Sequence, residues 1–264
     1  MNAASEDCHV RGCYRRLLVV IRHCSTWPSS AILYASACAA RDAVAQVVMV
    51  SARADEGGAA ACNVSARAVD TAKADAVRCA LIAHGLDATQ SFVQAAGAGA
   101  TIRDSIVEVA KRWGADLVLT DDPVAAHLVD VTAFDVLYLP GDSWHRSHVP
   151  PRRVFVACDD SPSALRAVET AKQVAGAGEL RRAFVSREAQ ENATLDSATV
   201  VLMAAHHANN LPHAILQAAH EWGADLLVLG AHGPIPHSRW RYGSVASAVA
   251  QIADMPLLLV PERE

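Results

Sequence analysis

The chain has 264 residues, enough for two modest domains or one large one, and 52% of them are apolar, enough to bury a sizeable core. A net charge of −5, with lysine only at Lys73, Lys111 and Lys172 and the arginines scattered, provides no basic face for nucleic acid. No apolar run approaches the ~18 residues of a membrane span, and residues 1–14, MNAASEDCHVRGCY, lack the apolar h-region of a signal peptide, so they read as a disordered tail on a soluble cytoplasmic protein.

In chain order, the first apolar run is RRLLVVI at 15–21, a strand. The stretch VSARAVDTAKADAVRCALIAHG, 64–85, places Val69, Ala72, Ala76, Val77, Ala80 and Leu81 on one helical face and stops at Gly85. The A-G-A-G-A run at 96–100 has the look of a dinucleotide fingerprint, but position 102 is Ile and no acidic residue follows a second strand at the right distance. It reads instead as the loop into a helix carrying Ile102, Ile106, Ala110 and Trp113. Next come AKRWGADLVLTDDP at 110–123 and the strand FDVLYLP at 134–140. GDSWHRSHVPP, 141–151, is polar and proline-bearing, and reads as a linker.

The pattern then starts again. RRVFVAC at 152–158 contains a strand, Val154–Cys158, and Ser161-Pro162 is a capping residue followed by an N1 proline, opening a helix to about Ala175. Strands follow at Ala183–Ser186 and Val200–Ala204, with only the polar EAQENATLDSAT where the first half has its long helix. Ile215, Ala218, Ala219 and Trp222 fall at i, i+3, i+4, i+7 on a helix that ends in EWGADLLVL. The strand Asp225–Leu229 runs into a glycine loop, then a helix with Val245, Ala248, Val249 and Ile252 on one face, then a last strand, Leu257–Val260. Matching passages in the same order are the mark of a tandem duplication: 15–140 and 152–264 as two domains. Each reads as an open, mostly parallel, doubly wound five-stranded α/β sheet with helices on both faces.

The glycine loop carries the chemistry. Gly230, Gly233, Gly243 and Ser244 spell G-x2-G-x9-G-S in LGAHGPIPHSRWRYGS. A strand that enters a glycine-bearing loop and then a helix N-terminus is a phosphate cradle: no Cβ blocks the anion, and the N–H groups of the first helical turn point at it. The loop contains no lysine, so it is not a Walker A site, and no nucleophile elbow or paired carboxylates accompany it. Such a site can cradle a phosphate and brings no evident group to transfer it. His145/His148 and His206/His207 have no converging carboxylate or cysteine and read as chance neighbours. The cysteines, Cys8, Cys13, Cys24, Cys38, Cys62, Cys79 and Cys158, are odd in number and lack C-x-x-C spacing, which excludes a disulfide framework or zinc ribbon; Cys38 and Cys79 sit in helical apolar patterns.

The order strand–Asp–Asp–Ser–Pro–helix, then W-G-A-D-L-L-V-L-G-A-H-G, then G-S, then M-P-L-L-L-V-P resembles a universal stress protein domain over 152–261. The first half resembles the same domain in outline, without the ligand motif. The resemblance implies ATP, with Mg2+, in the second half. It places Asp159 on the adenosine portion, Val185 at the adenine edge, and Gly230, His232, Gly233, Gly243, Ser244, Val245 and Ala246 on the ribose and phosphates. Asp160 stands where the family usually has glycine. In the first half Arg22 and His23 replace Asp159 and Asp160, and Asp121 and Asp122 stand where the loop should begin. A carboxylate there repels a triphosphate, so this half is expected to bind none. The function implied is that of an ATP-binding regulatory protein. A nucleotide-free interaction or dimerisation scaffold is the alternative. An adenylating enzyme is disfavoured, since no S-G-G-x-D, H-I-G-H or K-M-S-K-type motif is present. Val136–Leu139 and Leu257–Val260 are apolar terminal strands, expected at sheet edges that need covering, either by each other within one chain or by a second copy in a homodimer.

Overall fold

The computed structural model describes residues 12–22, 29–51, 60–94, 101–121, 128, 134–140, 148–159, 161–186, 199–203, 211–231 and 244–262. Among the described residues ten strands form a single sheet. The first five are β1 (Tyr14–Arg22), β2 (Ala39–Ser51), β3 (Asp87–Gln94), β4 (Leu117–Thr120) and β5 (Asp135–Tyr138). The second five are β6 (Arg153–Cys158), β7 (Glu179–Ser186), β8 (Thr199–Met203), β9 (Leu226–Ala231) and β10 (Leu257–Pro261). The order is β3-β2-β1-β4-β5-β10-β9-β6-β7-β8, so the second half repeats the strand order of the first, turned about the middle of the sheet. Every pairing is parallel except the central one, where β5 and β10 run antiparallel with Leu258 opposite Leu137. The strands expected at edges thus form the seam, each covering the other.

Six helices flank the sheet among the described residues: α1 (Ser29–Cys38), α2 (Ala60–Ala83), α3 (Ile102–Trp113), α4 (Pro162–Ala175), α5 (Leu211–Trp222) and α6 (Ser244–Ile252). Ala31, Tyr34 and Ala35 of α1, Ala74, Val77 and Leu81 of α2, and Ala167, Val168 and Ala171 of α4 share one core with one face of the sheet. Ile106 and Ala110 of α3, Ile215 and Ala219 of α5, and Ala246 and Val249 of α6 share the other. Burial on both faces explains the uninterrupted apolar strands.

Local chemistry sets the helix ends. Thr101 caps α3 in a reciprocal capping box with Asp104, so the helix expected to carry Ile102, Ile106, Ala110 and Trp113 is present, while 96–100 lie outside the described residues. Ser161 caps α4, whose bounds match the expected Pro162-to-Ala175 helix. On α2 the expected apolar face is corrected. Val77 and Leu81 are buried, with Ala74, but Val69 is 60% exposed and Ala72 and Ala76 are exposed. The buried stripe runs Asp70, Ala74, Val77 and Leu81, at i, i+4, i+7 and i+11, so the helix is turned relative to the expected face. Cys38 is buried as expected, whereas Cys79 is exposed. The strand expected at Asp225–Leu229 starts one residue later and continues through Gly230 and Ala231, so the first glycine of the loop motif is a strand residue paired with Val260 of β10.

Both starting edges of the sheet are tied down identically. The Asp116 carboxylate accepts the backbone N–H groups of Arg15 and Arg16, at 2.7 and 2.9 Å. The Asp225 carboxylate accepts those of Arg152 and Arg153, at 2.9 and 3.0 Å, and that of His148 at 2.9 Å. Ahead of each aspartate a left-handed glycine, Gly114 or Gly223, ends the helix. The Trp before it stacks under a guanidinium: Arg16 over Trp113, and Arg153 and Arg181 over Trp222. The repeated R-R and W-G-A-D are therefore one device for anchoring a strand, used twice.

Candidate functional site

In the second half β6 lies between β7 and β9, and the helices that follow β6 and β9 leave to opposite faces: α4 to one core, α6 to the other. The crevice between the carboxyl ends of such strands is where open α/β sheets hold ligands. Register brings the candidate residues to this edge. Cys158 of β6 pairs with Phe184 of β7, so Asp159 lies level with Val185. Ala157 pairs with Leu229, so Gly230 and Ala231 end β9 on the other side of the same two residues.

Asp159 is exposed, and its Oδ1 accepts the Ser161 hydroxyl at 2.6 Å and the Ser161 N–H at 3.3 Å. The Ser161 Oγ accepts the Ala164 N–H at 3.3 Å, the N-cap bond of α4. The carboxylate thus sits at the positive end of a helix, held by the capping residue itself. Gly230 has a packing reason to be glycine: a Cβ there would lie 2.6 Å from Ala164 N and from Ser163 C. The end of β9 lies directly against the first turn of α4. This tight approach joins the two walls of the crevice.

Val185 is half-buried and packs against the second core. Ser244 opens α6. Val245 is half-buried and Ala246 is buried in the core, so the Ala246 side chain is unavailable to a ligand and what it can offer is its first-turn N–H. Asp159, Val185 and Gly230 are thus brought together at one edge. His232, Gly233 and Gly243, with Asp160, lie outside the described residues. Of the histidines weighed for metal, His148 donates its backbone N–H to Asp225, and His145, His206 and His207 lie outside the described residues.

The equivalent crevice of the first half is built from different groups. Arg22 ends β1 where Asp159 follows β6, and Asp121 follows β4 where Gly230 stands in β9. Arg22 Nε lies 3.9 Å from Asp121 Oδ1, an ion pair across the switch point. Lys73, from α2, donates to the Arg22 carbonyl at 3.3 Å. Sequence reasoning noted Arg22 and Asp121 separately; that they face each other follows from adjacent strands ending together.

Comparison with known proteins locates this architecture. Residues 178–261 match the model of the universal stress protein family, a span that contains Val185, Gly230 and the whole glycine loop and begins after Asp159. A solved universal stress protein from Archaeoglobus fulgidus shares the fold at 15% identity and a TM-score of 0.68, over 94% of this chain and 97% of that one. A protein assigned to the same family from Pseudomonas aeruginosa shares it at 14% identity and a TM-score of 0.64, over 94% of this chain and 93% of that one. A functionally unknown Pseudomonas aeruginosa protein shares it at 12% identity and a TM-score of 0.58. No curated protein matches the chain. No described helix is long and apolar enough to cross a membrane.

Proposed function

We propose that the chain is an ATP-binding regulatory protein made of two universal stress protein domains, 15–140 and 152–264, with the nucleotide held by the second. The observation that carries this reading is the placement of G-x2-G-x9-G-S: its first glycine is the last residue but one of β9, at the switch point, and its serine opens α6. In this reading Asp159 takes the adenosine portion, Val185 lines the adenine edge, and the backbone of Gly230, His232, Gly233 and Gly243 takes the ribose and phosphates. Ser244, Val245 and Ala246 present first-turn N–H groups to the phosphates, with Mg2+ as counter-ion. The glycine loop has no lysine and no paired carboxylates accompany it in the sequence, so hydrolysis is expected to be slow or absent, with occupancy as the signal. A cytoplasmic setting goes with this reading, since ATP is the ligand and the cysteines form no framework.

The first domain serves as a partner that binds no triphosphate. Its crevice already holds the Arg22–Asp121 pair. The rival, a nucleotide-free scaffold, extends that condition to both domains. Titration calorimetry of the nucleotide-stripped chain with Mg-ATP separates them. One site per chain, lost in Gly233→Asp, is the expected result. No heat with the unmodified chain would favour the scaffold, and two sites would contradict the division of labour.

A further inference from the structure

The sheet has an approximate two-fold axis through the β5·β10 seam, centred on the Leu137–Leu258 pair. Such a seam has a built-in ambiguity. Two halves with the same strand order can pair β5 with β10 in one chain. They can equally pair β5 with β5, or β10 with β10, between two copies. Both seam strands are apolar throughout the paired residues, so the backbone and the core do not discriminate.

One group of side chains at the seam ignores the two-fold. Asp135, at the start of β5, is 1% exposed. Its Oδ2 accepts the Tyr14 hydroxyl at 2.7 Å and its Oδ1 accepts Arg166 Nη2 at 2.6 Å. Arg166 belongs to α4 in the other half, and its Nη1 donates to the Pro261 carbonyl of β10 at 2.6 Å. The counterpart of Asp135 is Pro256, by the match of FDVLYLP with MPLLLVP. The counterpart of Arg166 is Leu33: the buried positions Ala164, Ala167, Val168 and Ala171 of α4 repeat as Ala31, Tyr34, Ala35 and Cys38 of α1. Leu33 is 40% exposed. A second contact has the same asymmetry. Tyr34 Oη donates to the Asp225 carbonyl at 3.0 Å, and its counterpart is Ala167.

We propose that the Arg166–Asp135 pair is a specificity device that selects the β5·β10 seam within one chain against like-with-like pairing between copies. In a β5·β5 pair each Asp135 would meet Leu33 and lose the guanidinium of Arg166. In a β10·β10 pair each Arg166 would meet Pro256, which has no carboxylate. Like-with-like pairing therefore forfeits the charge-assisted bond between Arg166 and Asp135, and the heterotypic seam keeps it.

The test is mass by light scattering across a hundredfold range of concentration, with far-ultraviolet dichroism as the check on folding. Three full-length chains are compared: the unmodified one, Arg166→Leu, and Arg166→Leu combined with Leu33→Arg, which moves the guanidinium to the face that serves β5·β5 pairing. The unmodified chain is expected to show one mass, and Arg166→Leu a concentration-dependent species of at least twice that mass. The double variant should raise that species further, by several-fold at equal concentration. An unchanged mass distribution in the folded variants would overturn the proposal, even with a lowered Tm, because the pair would then be merely structural. If Arg166→Leu alone fails to fold, the double variant decides: a folded dimer supports the proposal, and a chain with the unmodified mass, or an unfolded one, overturns it.

Discussion

The two ends of this sheet obey different rules. At the end where strands begin, Asp116 and Asp225 do the same work: each carboxylate gathers the N–H groups of an arginine pair at the start of β1 or β6. At the end where strands finish, the described residues of the two halves differ. Asp159 and Gly230 face one crevice, Arg22 and Asp121 the other. The starting end has one physical task, satisfying backbone donors before a buried strand, and one solution serves both halves. The finishing end is free of that task, and there the halves have diverged in charge. What is alike between the halves is architecture, and what differs is where ligand chemistry is to be sought.

This contrast can be broken in several ways. The largest effect is expected from Gly230→Leu, which drives a side chain into the backbone of Ala164 and should cost about 3 kcal/mol in urea unfolding. A loss under about 0.5 kcal/mol would mean that the β9–α4 contact yields readily and does not define the crevice. Next is the shared anchor. Asp225→Ala, removing the acceptor of three N–H groups, should cost about 3 kcal/mol, and Asp116→Ala, with two at a more exposed site, about 2 kcal/mol. Equal tolerance of both substitutions would undo the anchoring account.

The third prediction concerns alkaline pH. Burial, and then the Asp135 charge, holds the Tyr14 phenol well above its ordinary range. Burial, followed by the neighbouring Cys13, pushes the Cys38 thiol up to about 12. The unfolded chain ionises these groups first, at about 8.5 for a thiol and about 10 for a phenol, so above those values it binds fewer protons than the native chain. Stability is thus fully present below about pH 8 and falls as pH rises through 9 to 12. Urea midpoints measured from pH 8 to 10.5 should decline, more shallowly in Cys38→Ala; a rise would contradict the sign. Smaller is Ser161→Ala, which removes the α4 cap and the Asp159 contact and should cost about 1 kcal/mol. Asp121→Asn, on the other crevice, should change stability by less than about 1 kcal/mol.

Much of this was legible in the sequence. The fold followed from uninterrupted apolar strands alternating with helical patterns, and Ser161-Pro162 announced the start of α4 because capping is a local matter. The division between the crevices was visible in Asp159 against Arg22. Other features are long-range and left little trace. Asp135 and Arg166 belong to different halves and meet only through the seam. The expectation that β5 and β10 lie at edges came from reading each half alone; together they form the centre. Gly230 was assigned to ligand approach, yet its nearest constraint is the α4 backbone, a contact no local pattern encodes. The anchors at Asp116 and Asp225 did leave a signal, a Gly-Ala-Asp before an apolar strand in both halves, but the sequence showed it only as a matching passage, and its anchoring task came from the hydrogen bonds.

The central claim, that only the second crevice takes nucleotide, is tested most directly by irradiating the nucleotide-stripped chain with a photoreactive azido-ATP and mapping the labelled peptides by mass. The account predicts label on peptides from 152–264, competed away by ATP and absent in Gly233→Asp. Competable label of comparable yield on peptides around Arg22 and Asp121 would contradict it.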